Sequence, residues 1–201
     1  MDGWGSQAWV DLRRLQSLFG KDNLRGKTCL VTGANSGIGY AASLGLLREG
    51  ARVVLVVRDE RKGREAIRQL VADAGLEDDS RLSLRVCDVA SLSSVRKLAA
   101  SLDAEGVGVN VLVNNAGAMV NQRVLTDEGH ESNFAVNTLG TFALTRLLMP
   151  ALERGAPSCV IFVSSGGMLT ESLEVDDLES DNLRPFDGMK VYARYVRVGG
   201  A

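Results

Sequence analysis

Lys27-Thr28-Cys29-Leu30-Val31-Thr32 runs straight into Gly33-Ala34-Asn35-Ser36-Gly37-Ile38-Gly39. An apolar strand, a turn with three glycines and the start of a helix follow in that order. Glycines let the backbone turn tightly and lie close to a ligand. A helix N-terminus offers unpaired N–H groups and partial positive charge. Together these make a cradle for the pyrophosphate of a dinucleotide.

Outward from this turn, strands and helices alternate. The spacing predicts a helix over 37–48, and Arg52 to Val57 (RVVLVV) reads as a second strand. Ala66, Ile67, Leu70, Val71 and Ala74 mark one face of a helix over 60–74. Leu82 to Val86 is a third strand. Ser91 can cap a helix whose face is Leu92, Val95, Leu98, Ala99 and Leu102. Val109 to Val113 is a fourth strand and Ser158 to Val163 a fifth. Between these two a single long helix is expected from Asp127 to Leu148, capped by Thr126, with Asp127 and Glu128 suiting its positive end. Apolar strands separated by helices imply a doubly wound parallel α/β sheet of Rossmann type, helices on both faces.

Composition narrows the function classes. The 201 residues carry 23 basic and 25 acidic side chains, a net charge of −2, which argues against nucleic-acid binding. No apolar run approaches the ~20 residues of a membrane span, and the N-terminus lacks the apolar stretch of a secretory signal. Cys29, Cys87 and Cys159 are too scattered for a disulfide framework or a zinc site, and read as buried thiols of a reducing, cytoplasmic compartment. His130, the one histidine, has no ligand cluster beside it, so no metal is expected. Residues 1–26 place Trp4, Ala8, Leu12, Leu15 and Phe19 at helical spacing. Such a helix could lie on a membrane surface. Packing against the domain is the favoured reading.

The spacing Thr32-Gly33-x-x-x-Gly37-Ile38-Gly39, with Asn114-Asn115-Ala116-Gly117 at the end of the fourth strand, resembles the short-chain dehydrogenase/reductase family. The stretches NFAVNTLG and VSSGGML are similar to its retinol-dehydrogenase-like branch. The resemblance covers residues 27–192 and implies a nicotinamide-binding domain there, with 193–201 a divergent tail. It implies hydride transfer between nicotinamide and a lipophilic carbonyl or alcohol. Gly33, Asn35, Ser36, Gly37, Ile38 and Gly39 would cradle the cofactor, Asp88 and Val89 would flank its adenine, and Asn114, Asn115, Ala116 and Gly117 would line its path. Asn137, Ser165 and Tyr192 match the family's catalytic asparagine, serine and tyrosine, with Ser164 the alternative serine.

The second strand ends at Val57-Arg58-Asp59, about where an NAD enzyme places an acid on the ribose 2′-hydroxyl. Arg58 suits a 2′-phosphate instead, which favours NADP(H) over NAD(H).

Two departures stand out. The family's lysine falls four residues after the tyrosine, and that position is Val196. Lys190, Arg194 and Arg197 lie on other helical faces, and Tyr195 leads to Gly199 instead. An unassisted tyrosine, with a pKa of about 10, is only ~0.1% phenolate at pH 7. The expected order 3-2-1-4-5-6 also lacks its sixth strand, as in a C-terminally shortened form. The fifth strand would then be an open edge that invites a dimer. Three readings follow: an active oxidoreductase, an NADP-binding chain impaired in catalysis, or a fragment of marginal stability.

Overall fold

The computed structural model describes residues 24–198, so the possible helix around Trp4 and Leu12 lies outside the described residues. Five parallel strands form one sheet: β1 (Thr28–Thr32), β2 (Arg52–Val57), β3 (Leu82–Val86), β4 (Val111–Asn114) and β5 (Cys159–Phe162). Their order is β3-β2-β1-β4-β5, the doubly wound arrangement expected from the alternation. Helices α1 (Gly37–Arg48), α2 (Glu60–Ala74) and α3 (Leu92–Ala104) follow the first three strands. A broken helix α4 (132–147) and a short α5 (Met149–Arg154) connect β4 to β5, and α6 (Gly188–Val198) ends the described chain.

The two-sided burial of the strands explains their unbroken apolar runs. Cys29, Val31, Val53, Leu55 and Val113 pack with Leu46, Leu47, Ala66 and Leu70 of α1 and α2. Their neighbours Leu30, Val54, Val56 and Leu112 point the other way, onto Val95, Leu98, Leu102 and Leu144 of α3 and α4. Each such side chain contributes roughly 1.5–3 kcal/mol on leaving water. Burial also pushes the Cys29 thiol up to about 12, so it stays a thiol and behaves as a small apolar side chain.

The expected helix over 127–148 is corrected. Thr126 to Gly129 is a turn, with Gly129 at φ 86° and a bridge joining Leu125 to Glu131. The helix starts at Ser132, and Glu131 rather than Thr126 closes it, accepting from the amides of Asn133 (3.0 Å) and Phe134 (2.9 Å). His130 therefore lies before the helix, its Nδ1 2.7 Å from Glu179 Oε1. Glu128 serves a different helix. Its carboxylate accepts from Leu92 N (2.7 Å) and Ser93 N (2.9 Å) at the start of α3, and these bonds hold its carboxyl below the usual range. Within α4, residues Ala135–Gly140 form a π-helical turn. The fourth strand begins at Val111; just before it, Asn110 adds its side chain to the sheet, Oδ1 accepting from Thr28 N (2.8 Å). Residues 193–198 continue α6 without a break.

Candidate active site

Thr32 fastens the glycine turn to the end of β4. Its Oγ1 accepts from the amides of Asn115 and Ala116, both at 2.9 Å, and its carbonyl accepts from Asn115 Nδ2 at 2.8 Å. Gly33 (φ 65°) and Gly37 (φ 54°) take left-handed conformations that few other residues adopt. Gly39 is needed for space: a Cβ there would meet Gly33 O at 2.4 Å and Asn115 Nδ2 at 2.5 Å.

The helix that follows is open at its N-terminus. Ser36 makes no side-chain cap on α1, and no acid occupies the first turn. The other helices around the cleft are closed. Asp59 caps α2, Ser91 and Glu128 cap α3, Glu131 caps α4, and Asp187 accepts from Met189 N and Lys190 N of α6. Unpaired N–H groups therefore collect at the turn the sequence singles out.

A cleft of ≈ 560 Å³ runs from this turn along the strand ends. Gly33, Asn35, Ser36, Arg58, Asp88 and Val89 line it, with Asn115, Ala116 and Gly117 at its far side. Gly37 and Gly39 shape the turn without lining the cleft. Lys62 also lines the cleft beside Arg58, a residue the sequence reading passed over. The Asp59 carboxylate accepts from Lys62 N at 3.0 Å, and chiefly for that reason its carboxyl sits below the usual range. It is committed to the helix.

A second cavity of ≈ 460 Å³ adjoins the first along Asn115–Ala118. It brings together Asn137, Ser164, Ser165 and Tyr192, four residues spread over three elements, with Asn114 and Ile38 also in its wall. Asn137 stands in the π turn. Its Oδ1 accepts from Ala118 N (3.0 Å) and its Nδ2 donates to Ala118 O (2.7 Å). One turn earlier, Asn133 pairs with Val120 in the same way, at 2.7 and 3.0 Å. The two side chains pin the loop after β4 as a strand would.

The two serines differ in what they hold. Ser164 Oγ donates to Val196 O at 2.8 Å, so its proton is committed. Ser165 Oγ accepts from Gly167 N at 3.2 Å, which leaves its hydroxyl proton for the cavity. On α6, Tyr192 and Val196 fall on one face and both line the cavity. The position four after the tyrosine thus faces the site and presents an isopropyl group. Lys190 Nζ (3.7 Å) and Arg194 Nε (3.9 Å) both turn to Glu171. Among the described residues, no lysine or arginine lines this cavity. Tyr195 is buried, pushed up to about 12 mainly by that burial, and bonds Ser180 at 3.0 Å.

The sequence profile of the short chain dehydrogenase family matches residues 27–174. Human dehydrogenase/reductase SDR family member 12 is 42% identical over 172 residues, covering 86% of this chain and 53% of that protein. Mouse retinol dehydrogenase 14 is 41% identical over 165 residues, covering 79% and 49%. Mouse polyprenol dehydrogenase is 38% identical over 174 residues, covering 83% and 51%. The chain spans about half the length of these curated relatives. Among solved structures, a Mycobacterium paratuberculosis protein of undescribed function aligns with TM-score 0.73 and 36% identity, over 88% of this chain and 59% of that one. The NADP complex of Pseudomonas aeruginosa RhlG aligns with TM-score 0.68 and 25% identity, over 88% and 64%. With the glycine turn, the strand order and the profile in agreement over most of its length, the chain belongs to the short-chain dehydrogenase/reductase family of oxidoreductases.

Proposed function

We propose that residues 27–192 bind NADP(H) in preference to NAD(H) and serve hydride exchange with a lipophilic carbonyl or alcohol. The observation that carries this reading is the continuity of the two cavities, from the uncapped start of α1 to Ser165 and Tyr192. The residues present fit a dinucleotide. The Gly39 position has no room for a Cβ, and α1 keeps its N–H groups for an anion. Gly33 to Gly39 would hold the pyrophosphate, and Asp88 and Val89 would flank the adenine. Arg58 and Lys62 would pair with a 2′-phosphate; Asp59 lines the cleft beside them, but its carboxylate already accepts from Lys62 N.

A bound nicotinamide would supply or accept the hydride. Ser165 donates a hydrogen bond to the reacting oxygen, and Tyr192 holds the exchanged proton at its phenolic oxygen. Asn137 commits both amide atoms to Ala118 and so fixes the cavity wall. Met119, Phe162 and Val196 make much of the remaining lining apolar, which supports a lipophilic substrate, as do relatives named for retinol and polyprenol.

Val196 favours a second reading: a chain that binds the cofactor and turns over slowly, because among the described residues no lysine or arginine lines the cavity with Tyr192. Thermal melts with saturating NADPH or NADH test the shared first step. A ligand at 100 times its dissociation constant adds roughly 2.7 kcal/mol to native stability. NADPH is expected to raise the midpoint more than NADH, and the Arg58→Ala/Lys62→Ala double variant to erase the difference. Equal shifts with both cofactors would overturn the preference.

The outer side of β5 pairs with no strand among the described residues. We propose that this edge recruits a second copy. Light scattering is expected to show a dimer or larger species. A monomer that persists at every concentration would count against it. No described helix is long and apolar enough to cross a membrane, and contact with a membrane surface remains a proposal for the N-terminal segment.

A further inference from the structure

Three consecutive residues of the long segment between Ser165 and Tyr192 are each fastened to a different element. Glu179 takes His130 Nδ1 at 2.7 Å and accepts from Glu131 N at 2.7 Å, both just before α4. Ser180 Oγ meets the Tyr195 hydroxyl of α6 at 3.0 Å. Asp181 pairs with Arg123, in the loop after β4. Ser180 is fully buried and carries a φ of 53°, a left-handed conformation that disfavours a serine unless its surroundings hold it. It is the one such non-glycine residue among those described.

The same segment packs apart from the sheet. Phe134, Val191 and Tyr195 are buried in a cluster of their own, with Leu139, Leu183 and Phe186 against them. The two large clusters on the faces of the sheet include none of these residues. Beyond the small cluster, α6 also buries Ala193 and Val196, and two hydrogen bonds hold its backbone. Ser164 Oγ holds Val196 O at 2.8 Å, and Thr138 Oγ1 reaches Tyr195 O at 3.4 Å. A unit whose apolar cluster lies apart from the main core, and which is otherwise tied by a handful of replaceable hydrogen bonds, opens before the core does.

We propose that residues 166–198 form a flap that opens as one body while the sheet stays folded, with Glu179, Ser180 and Asp181 as its catch. The flap leaves the cavity at Ser165 and returns to it at Tyr192, so the site is assembled only when the catch is closed. The nucleotide cleft shares no residue of the flap and stays formed when it opens. Tyr195 is then a positioning residue: it touches Ser180 and Phe134, and sets the turn of α6 that carries Tyr192.

Amide hydrogen exchange on the full chain tests this without any assay of turnover. Amides of α6 and of 175–183 are expected to exchange together, at least about tenfold faster than those of β1 and β4. Tyr195→Phe removes one hydroxyl and keeps the ring against Phe134. It should speed flap exchange by about tenfold, the effect of one buried hydrogen bond, with β1 and β4 within about twofold of wild type. NADPH protection of the glycine turn should be unchanged. Ser180→Ala should give the same shift, and the double variant no more than either single one. One common rate for α6 and the sheet in the wild-type chain would overturn the flap. Unchanged flap exchange in both single variants, or fully additive effects in the double one, would overturn the catch. Loss of NADPH protection at the turn in wild type would instead strike the cofactor reading and leave the flap standing.

Discussion

A Val196→Lys chain is expected to reduce an aliphatic aldehyde with NADPH roughly 10² to 10⁴ times faster than wild type, the usual range for a positioned acid–base system. The argument is geometric. Position 196 lies one turn beyond Tyr192 on the same face of α6, and both side chains line the ≈ 460 Å³ cavity. A lysine there would place an ammonium beside the phenol and favour its phenolate. The backbone contact from Ser164 to Val196 O does not depend on the side chain and would survive. The cost is the loss of a well-buried isopropyl group, 7% exposed, so a lowered melting midpoint is expected alongside the gain in rate. The decay of NADPH absorbance measures it. Adding Tyr192→Phe to Val196→Lys should return the rate to the wild-type level. A lysine variant that binds NADPH and shows no gain would refute the placing of Tyr192 as the proton-exchanging group.

Gly140→Ala is expected to be the most damaging Gly→Ala change among the described glycines. A Cβ at 140 would lie 1.8 Å from Val89 O and 2.8 Å from Ala135 O, backbone atoms that cannot swing aside as a side chain can. Helix α4 must retreat from the loop after β3, or Val89 must leave the wall of the nucleotide cleft. Overpacking of this kind costs about 3 kcal/mol or more. A thermal midpoint lower by roughly 6–12 °C follows for a chain of this size. NADPH affinity should fall with it, because Val89 is shared. A midpoint within about 2 °C of wild type would show that the α4 crossing is looser than described.

Most of the sheet could be read from the chain because its signals are local. The limits of α1, β2, α2 and β3 coincide with the expected ones: a glycine turn, a two-sided apolar strand and an amphipathic stripe each speak for themselves. Ser91 caps α3 as its position suggested. The start of α4 misled for a physical reason. Thr126, Asp127 and Glu128 carry the composition of a helix start, but Glu128 answers the N-terminus of α3, 36 residues away in sequence. No local pattern announces such a partner. The π turn around Asn137 is likewise invisible, since it depends on where Gly140 meets Val89. At the site, Asn137, Ser165 and Tyr192 came from the resemblance to the family, and the structure gathers them around one cavity. Lys62 was missed because its role depends on how Asp59 turns α2 toward the cleft.

The uncapped start of α1 has a consequence for the life of the protein in a cell. A missing cap leaves a helix weaker by typically ~1 kcal/mol, and α1 packs directly on the central strand. On the proposed reading, the free chain is folded with less margin than a chain holding a dinucleotide, whose phosphates would complete the helix. Proteases remove whatever fraction is open at a given moment. The steady-state amount of this protein is therefore expected to follow the supply of its own cofactor, falling when the nucleotide pool is drained and recovering when it is refilled, without any change in synthesis.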